Sequence, residues 1–338
     1  MQRAGSGNRP DKMTGQAVTV VHLIAKPLPP PPGSGGANRL VDWLARSQHE
    51  AGNTVCVMSP NGHSTAYFQS IDTAAETSPE ELIRKIPKDT DIVHHHGGFF
   101  AHINAINQAG YPVIETVHGN EELPAENRSP ANLKTNRVYV SQCHMRLHGG
   151  NTFVYNGIPI DEYQLTPTKR DYLLFLAKVR RSKKGVADAI RIAKNTGAPL
   201  IIAGGWKFKY PNTWLPLSRN IKSVGRVEGE QKKLLLAEAK ALLVPIRWDE
   251  PFGLTVVEAM ASGTPVIAAN RGAMPELIAD RETGILCDSI DAMQAAIDQV
   301  DKIDALACRD RAANLFSIAT ARDNYQKLYL RRMSGESW

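Results

Sequence analysis

The sequence predicts an α/β protein of two similar halves, each a parallel sheet covered by helices, facing each other across a cleft. Three observations carry that prediction. Short β-branched runs alternate with helix-spaced apolar stripes from about residue 18 onward, the pattern of a parallel sheet with helices on both faces. The alternation breaks at Asn156-Gly-Ile-Pro-Ile-Asp161 and Thr166-Pro-Thr-Lys169, then restarts, as it would at a connection between domains. The chain has 338 residues, enough for two domains at roughly 100–200 residues each. The expected division is 17–160, 161–318 and a C-terminal helix over 319–338, after a polar, glycine-rich lead-in over 1–16 that reads as disordered. Met13 is an alternative start within that lead-in.

The first strand is the run Val18–Ala25. Pro27–Pro32 and the Gly33-Ser-Gly-Gly36 loop follow, then Leu40, Trp43 and Leu44 recur at helix spacing until Gly52-Asn53 stops the helix. Thr54–Met58 is the next strand, and Ile92-Val93, Val113-Ile114, Val138–Val140 and Phe153–Tyr155 repeat the alternation. After the connection, Tyr172–Ala177 reads as a strand, Val186–Lys194 as an amphipathic helix, and Leu200–Ala203 as a strand ending at Gly204-Gly205. Glu230–Lys240 reads as a helix, Ala241–Pro245 as a strand, Leu254–Ala261 as a helix and Val266–Ala269 as a strand. The last helix, Ala319–Arg332, places Tyr325, Leu328 and Tyr329 on one face. Ligands of such folds bind at the carboxyl ends of the strands, so the cleft is the expected site.

Composition narrows the partners. With 42% apolar and 22% charged residues the chain is an ordinary globular protein with a sizeable core. The net charge of +6 asks for an anionic partner, and it is unevenly placed. Residues 17–160 carry 10 Lys/Arg against 12 Asp/Glu, whereas residues 161–338 carry 27 against 21. No dense Lys/Arg block or aromatic interleaving exists, which argues against nucleic acid. No stretch approaches the ~20 apolar residues that span a bilayer, and the lead-in lacks the apolar core of a signal peptide. Cys56, Cys143, Cys287 and Cys308 lie far apart and read as buried small hydrophobes in a reducing cytoplasm. Peripheral contact at the inner face of a membrane stays open through Arg331 and Arg332 of the last helix.

Several motifs bear on chemistry. Gly33-Ser-Gly-Gly36 fails as a dinucleotide fingerprint because Asn38 stands at the third glycine position, yet a glycine loop opening a helix lets backbone N–H groups approach a phosphate. In His94-His95-His96 only His94 and His96 can converge on one strand face, and the run is not expected to bind metal. Asp89-Thr-Asp91 precedes its strand instead of following it, so it reads as a polar strand start. Lys169–Lys184 holds seven basic residues and one acid, straddling the end of the second half's first strand. The segment from Trp248 to Pro265 is the most informative. Its helix begins near Leu254, and the first-turn N–H groups around Phe252, Gly253, Leu254 and Thr255 form an anion site. Glu258 shares the apolar stripe of Leu254, Val257 and Ala261, a costly place for a carboxylate unless a ribose diol or an arginine satisfies it.

Glu250 and Glu258, set in E-P-F-G-L-T-x-x-E-A-M-A-x-G-x-P-V, resemble the signature of family 4 retaining glycosyltransferases of the GT-B fold. The resemblance runs from about residue 18 to the end. It takes in the Gly35-Gly36 loop, Asp91-Ile-Val-His-His-His-Gly97, Val117-His118-Gly119 and Tyr155-Asn-Gly-Ile158, in the family's order. It implies two Rossmann-like domains with the C-terminal helix crossing back to the first. It implies that Gly35 and Gly36 approach the donor diphosphate, that His118 touches the transferred sugar, and that Lys178 and Lys184 neutralise the diphosphate. Glu250 and the backbone after it would hold the sugar hydroxyls, and Glu258 the ribose. The loop Gly225-Arg226-Val-Glu228 would read the nucleobase. Two positions depart from the family: Lys178 replaces its usual Arg, losing the planar grip on phosphate, and Ala273 replaces a common glycine.

The function so implied is transfer of a hexosyl unit from a UDP- or GDP-sugar to a carbohydrate, lipid-linked or small-molecule acceptor, with retention and without metal or other cofactor. A sugar-nucleotide epimerase, a phosphorylase, or a catalytically weak sugar-nucleotide-binding subunit remain alternatives at this level. Donor sugar, nucleobase, acceptor and linkage are not legible in the sequence.

Overall fold

The computed structural model describes residues 17–31, 33–74, 77–120, 136–215 and 217–338; the lead-in over 1–16 lies outside them. The first half runs β1 (Thr19–Leu23), α1 (Gly36–Glu50), β2 (Thr54–Ser59), β3 (Gln69–Asp72), α2 (Pro79–Lys85), β4 (Ile92–His95), α3 (Phe100–Gln108), β5 (Val113–Val117), β6 (Asn136–Tyr139) and α4 (Gln142–Leu147). The second half runs β7 (Arg170–Leu176), α5 (Val186–Thr196), β8 (Leu200–Ala203), β9 (Ile221–Gly225), α6 (Gly229–Glu238), β10 (Ala239–Val244), α7 (Leu254–Ala261), β11 (Val266–Ala269), α8 (Met274–Leu277), β12 (Gly284–Cys287), α9 (Ile290–Ala296) and α10 (Ala305–Phe316). A last helix, α11 (Ile318–Met333), ends the chain's regular structure.

Among the described residues each half builds a six-stranded sheet, ordered β3-β2-β1-β4-β5-β6 and β12-β11-β10-β7-β8-β9. Every pairing is parallel. Counted from its own first strand, the second sheet repeats the order of the first, which is the doubly wound arrangement with strand order reversing beside the first strand. Burial of both sheet faces explains the β-branched runs: Val20, Val21, Leu23, Leu173 and Leu174 are essentially unexposed.

The last helix returns to the first half. Ala321, Tyr325, Leu328 and Tyr329 pack with Val18, Val20, Leu44, Ile92, Ile114 and Val138 in one apolar cluster. The crossing point is tight, because Ile158 and Ser317 form a parallel bridge just before α11. The apolar face of α11 is thereby spent on the protein itself. No helix among the described residues is long and apolar enough to cross a membrane.

Three sequence expectations need correction. The helix expected to Lys240 stops at Glu238, since Ala239 and Lys240 enter β10, whose place between β7 and β11 outweighs local helix preference. Phe153–Tyr155 is not a strand; Phe153 makes a single parallel bridge to Tyr139. Of the four cysteines, all free, Cys143 is only half-buried.

A Cβ on Gly157 would lie 2.6 Å from both the Ile318 Cα and the Ser317 carbonyl oxygen, backbone atoms that cannot step aside. Gly157→Ala is therefore expected to cost on the order of 1–3 kcal/mol, read as a lower urea midpoint with an unchanged slope.

Candidate functional site at the cleft

Helix α1 starts from Gly35 and helix α7 from Gly253, and no side chain among the described residues caps either start. The two starts meet across the cleft: a Cβ on Gly36 would fall 2.7 Å from Leu254 Cδ1. Gly253 has φ 112°, a conformation suited to glycine, and brings the chain from Glu250 into α7. Two sets of unpaired N–H groups and two positive helix ends are thus aimed into one space. Phe252 points away from it and packs among Tyr155 and Phe316 in the core. Thr255, in the first turn of α7, is half-buried.

Cations gather at the same place. The exposed Lys178 follows β7, and its pKa is lowered by loss of solvent and by the charges of Arg181, Arg226, Lys26 and Lys184. Lys184 precedes Gly185, whose φ is 83° and whose added Cβ would strike the Pro245 carbonyl. Its ammonium donates to Glu250, which also accepts from Trp248 Nε1 at 3.0 Å. Lys183 Nζ sits 3.4 Å from the centre of the Trp248 ring. Ala273, the second departure from the family pattern, donates its N–H to the Glu250 carbonyl at 2.9 Å.

Glu258 is fully buried on α7. Its carboxylate takes Arg39 Nη1 and the Tyr163 hydroxyl at 3.0 Å each, and Lys232 Nζ lies 2.6 Å away. Burial raises its pKa, but the charges of Lys232 and Arg39 outweigh that and hold it below the usual carboxylate range. Arginine pairing, one of the two readings of Glu258, is what the structure displays, with a lysine and a tyrosine added. Arg226 donates to the Gly33 carbonyl, and the Gly33 N–H donates to Glu228 at 2.9 Å, so this loop grips the glycine loop across the cleft.

On the opposite wall, His118 follows β5. Its Nε2 is 3.1 Å from His96 Nδ1, and burial, with the charges of His144, His95 and Lys26 adding to it, lowers its pKa to about 4. His22, unflagged in the sequence, joins His94 and His96, and one ring nitrogen from each lies within 4.8 Å of the others. His95 faces the other way, 3.4 Å from Glu115, as strand alternation requires.

The basic cluster divides. Lys169 and Arg170 stand at the start of β7, where Lys169 donates to Ala237 and Ser262 carbonyls and Arg170 pairs with Glu238 at 2.9 Å. The seven-residue strand carries the chain roughly 20 Å onward before Lys178, so only Lys178–Lys184 reach the cleft. Asp91 accepts from the Thr19 N–H at the start of β4, the end of the sheet away from the cleft, so the acidic pair opens a strand. Lys26, Arg39 and Lys232 are not legible as site residues in the sequence, since they carry no motif and meet the site only through folding; Trp248 opens the Glu250 segment, but its contacts with Lys183 and Glu250 are not foreseen there. Arg39 had one available signal, a cation one turn inside the helix opened by the glycine loop.

Residues 159–314 match the family described as Glycosyl transferases group 1. The chain is 26% identical to a glycogen synthase of Mycobacterium tuberculosis over 91% of this chain and 94% of that one. Among solved structures, AviGT4, a glycosyltransferase involved in avilamycin A biosynthesis, superimposes with a TM-score of 0.74 at 23% identity, covering 95% of this chain and 99% of that one. HepE of Anabaena, solved with UDP and glucose, gives 0.70 at 17% identity, covering 92% and 99%.

Buried imidazoles make the fold acid-sensitive. The pKa values of His22, His118 and His144 fall to about 4, and those of His94 and His96 are lowered too, all chiefly by burial. Between the ordinary value of 6.5 and about 4, the unfolded chain binds protons that the native chain refuses. Stability is therefore complete above neutral pH and falls through that window, by ~3 kcal/mol for His22 alone. Urea midpoints at about pH 7.5, 6.5 and 5.5 should decline in that order; a flat series would contradict the burial of these rings. Residues 159–314 thus match the glycosyl transferases group 1, within a chain whose two facing doubly wound sheets have the GT-B fold.

Proposed function

We propose that the chain transfers a hexosyl unit from a nucleotide diphosphate sugar to an acceptor, with retention at the anomeric carbon and without a metal ion. The observation that carries this is the convergence of two uncapped helix starts with Lys178 and Lys184 in one cleft. That space suits a diphosphate. The glycosidic bond breaks as the diphosphate gains negative charge, and fixed donors and cations favour that state over the ground state. A unit charge pair at ~4 Å and an effective dielectric of ~20 is worth about 4 kcal/mol before desolvation, enough for a lysine to take a metal's part. Lys184 keeps two of its three N–H donors for phosphate while holding Glu250.

In this reading Gly35 and Gly36 admit the diphosphate, Glu250 and the N–H groups from Phe252 to Thr255 hold sugar hydroxyls, and His118 faces the transferred sugar. Glu258 accepts the ribose diol by exchanging Arg39, which comes from the other half, while Lys232 stays. Arg226 lies where the nucleobase would be read. The acceptor proton leaves on the departing phosphate in a front-face attack, so no general base is assigned. The pairing of HepE with UDP and glucose supports a nucleotide sugar as donor, with a carbohydrate, lipid-linked or small-molecule acceptor. The protein acts in the cytoplasm, with contact at the inner membrane face where the acceptor is lipid-linked.

Thermal shifts with UDP-glucose, GDP-mannose and ADP-glucose identify the donor, since a ligand of the folded state raises the melting temperature. Lys184→Ala is expected to lower turnover ~10²–10³-fold with that donor, while Glu258→Ala chiefly weakens nucleotide binding. Intact binding and turnover in both variants would remove the site assignment. Transfer should persist in excess EDTA, and the anomeric configuration of the product, read by NMR, should match that of the donor.

A further inference from the structure

The buried histidines form one continuous hydrogen-bonded chain that ends at His118. Gln48 Nε2 donates to the Tyr329 hydroxyl at 2.8 Å, and its Oε1 lies 2.7 Å from His22 Nε2. His22 Nδ1 is 2.8 Å from His96 Nε2, and His96 Nδ1 is 3.1 Å from His118 Nε2. On the other branch, the Tyr329 hydroxyl is 2.8 Å from His94 Nδ1, and His94 Nε2 is 2.7 Å from Thr116 Oγ1. Gln48, His22, His94 and Tyr329 are all fully buried.

Each neutral imidazole has one N–H and one lone pair, so the chain has a direction. Gln48 Oε1 can only accept; His22 therefore carries its proton on Nε2 and offers Nδ1 as acceptor. His96 must then donate from Nε2 and accept at Nδ1, and His118 must donate from Nε2. Along the other branch Tyr329 accepts from Gln48 and donates to His94 Nδ1, and His94 Nε2–H donates to Thr116. Reversing the Gln48 amide would reverse every link, placing the proton of His118 on Nδ1. Burial holds His22, His94, His96 and His118 neutral, as this wiring requires. At the far end, His118 Nδ1 is buried and has no hydrogen-bond partner among the described residues.

We propose that Gln48 is a positioning residue: through His22 and His96 it holds His118 as the Nε2–H tautomer, leaving the Nδ1 lone pair to accept a hydroxyl of the transferred sugar. The catalytic consequence rests on the reading of His118 as a contact of the donor sugar; the tautomer itself does not. Long-range 15N–1H spectra of histidine-labelled protein distinguish the two tautomers, and the His118 signals are identified by their loss in His118→Ala. The native protein should show His118 protonated on Nε2. Gln48→Leu, which removes the amide, should mix or invert that pattern. Gln48→Glu, whose carboxylate can only accept, should preserve it. Hydrolysis of the best-bound sugar nucleotide should fall about tenfold in kcat in Gln48→Leu, with KM nearly unchanged, and recover in Gln48→Glu. An unchanged His118 pattern in Gln48→Leu, or an Nδ1–H pattern in the native protein, overturns the proposal. If the tautomer responds as expected but His118→Ala keeps native turnover, the wiring stands and the sugar-contact reading of His118 fails.

Discussion

Glu258 is the constraint around which the cleft is organised. A carboxylate with no exposure, on a helix otherwise buried in the core, has to be neutralised by something. Its partners come from separate parts of the chain: Arg39 from the first half, Tyr163 from the connection, and Lys232 from the second half. One charge therefore ties together both sheets and the segment between them. Of these partners Arg39 reaches across from the other half, whereas Lys232 belongs to the same half as Glu258.

The second organising feature is the repeated strand order. In each sheet the strand order reverses beside its own first strand, and at that reversal the loops diverge and leave a crevice at the strand ends. Facing the two sheets brings both crevices together, so helix starts, glycine turns and lysines from sequence-distant segments share one volume. Further ties hold the halves in register. Glu276 on α8 accepts from the N–H groups of Gln142 and Cys143 at the start of α4, and from the Tyr155 hydroxyl at 3.1 Å. Asn120 reaches the Asp249 carbonyl at 2.5 Å.

Much of the architecture is legible locally. Leu254–Ala261 and Val266–Ala269 form over the same residues that their apolar periodicity and flanking glycines indicate. Where local reading fails, tertiary pairing is the cause: Lys240 has helical neighbours but lies in a central strand, and Phe153–Tyr155 has strand composition but finds only one bridging partner. The basic run over 169–184 looks uniform on paper because sequence proximity hides the length of β7, which places one end of the run at the amino ends of the strands and the other at their carboxyl ends.

The sequence by itself determined the alternating α/β pattern, the point where it restarts, and the glycines and acidic residues of the Glu250 segment. These depend on neighbours a few residues apart, through helix and strand periodicity and backbone freedom. Only the tertiary structure decided which cations face the cleft, what satisfies Glu258, and that His22, His96 and Gln48 stand behind His118. Those contacts join residues separated by tens to hundreds of positions, such as Gln48 and Tyr329, 281 apart. Local pattern has no term for such a meeting, because hydrogen bonding and charge compensation act across space and only the packed fold sets that distance.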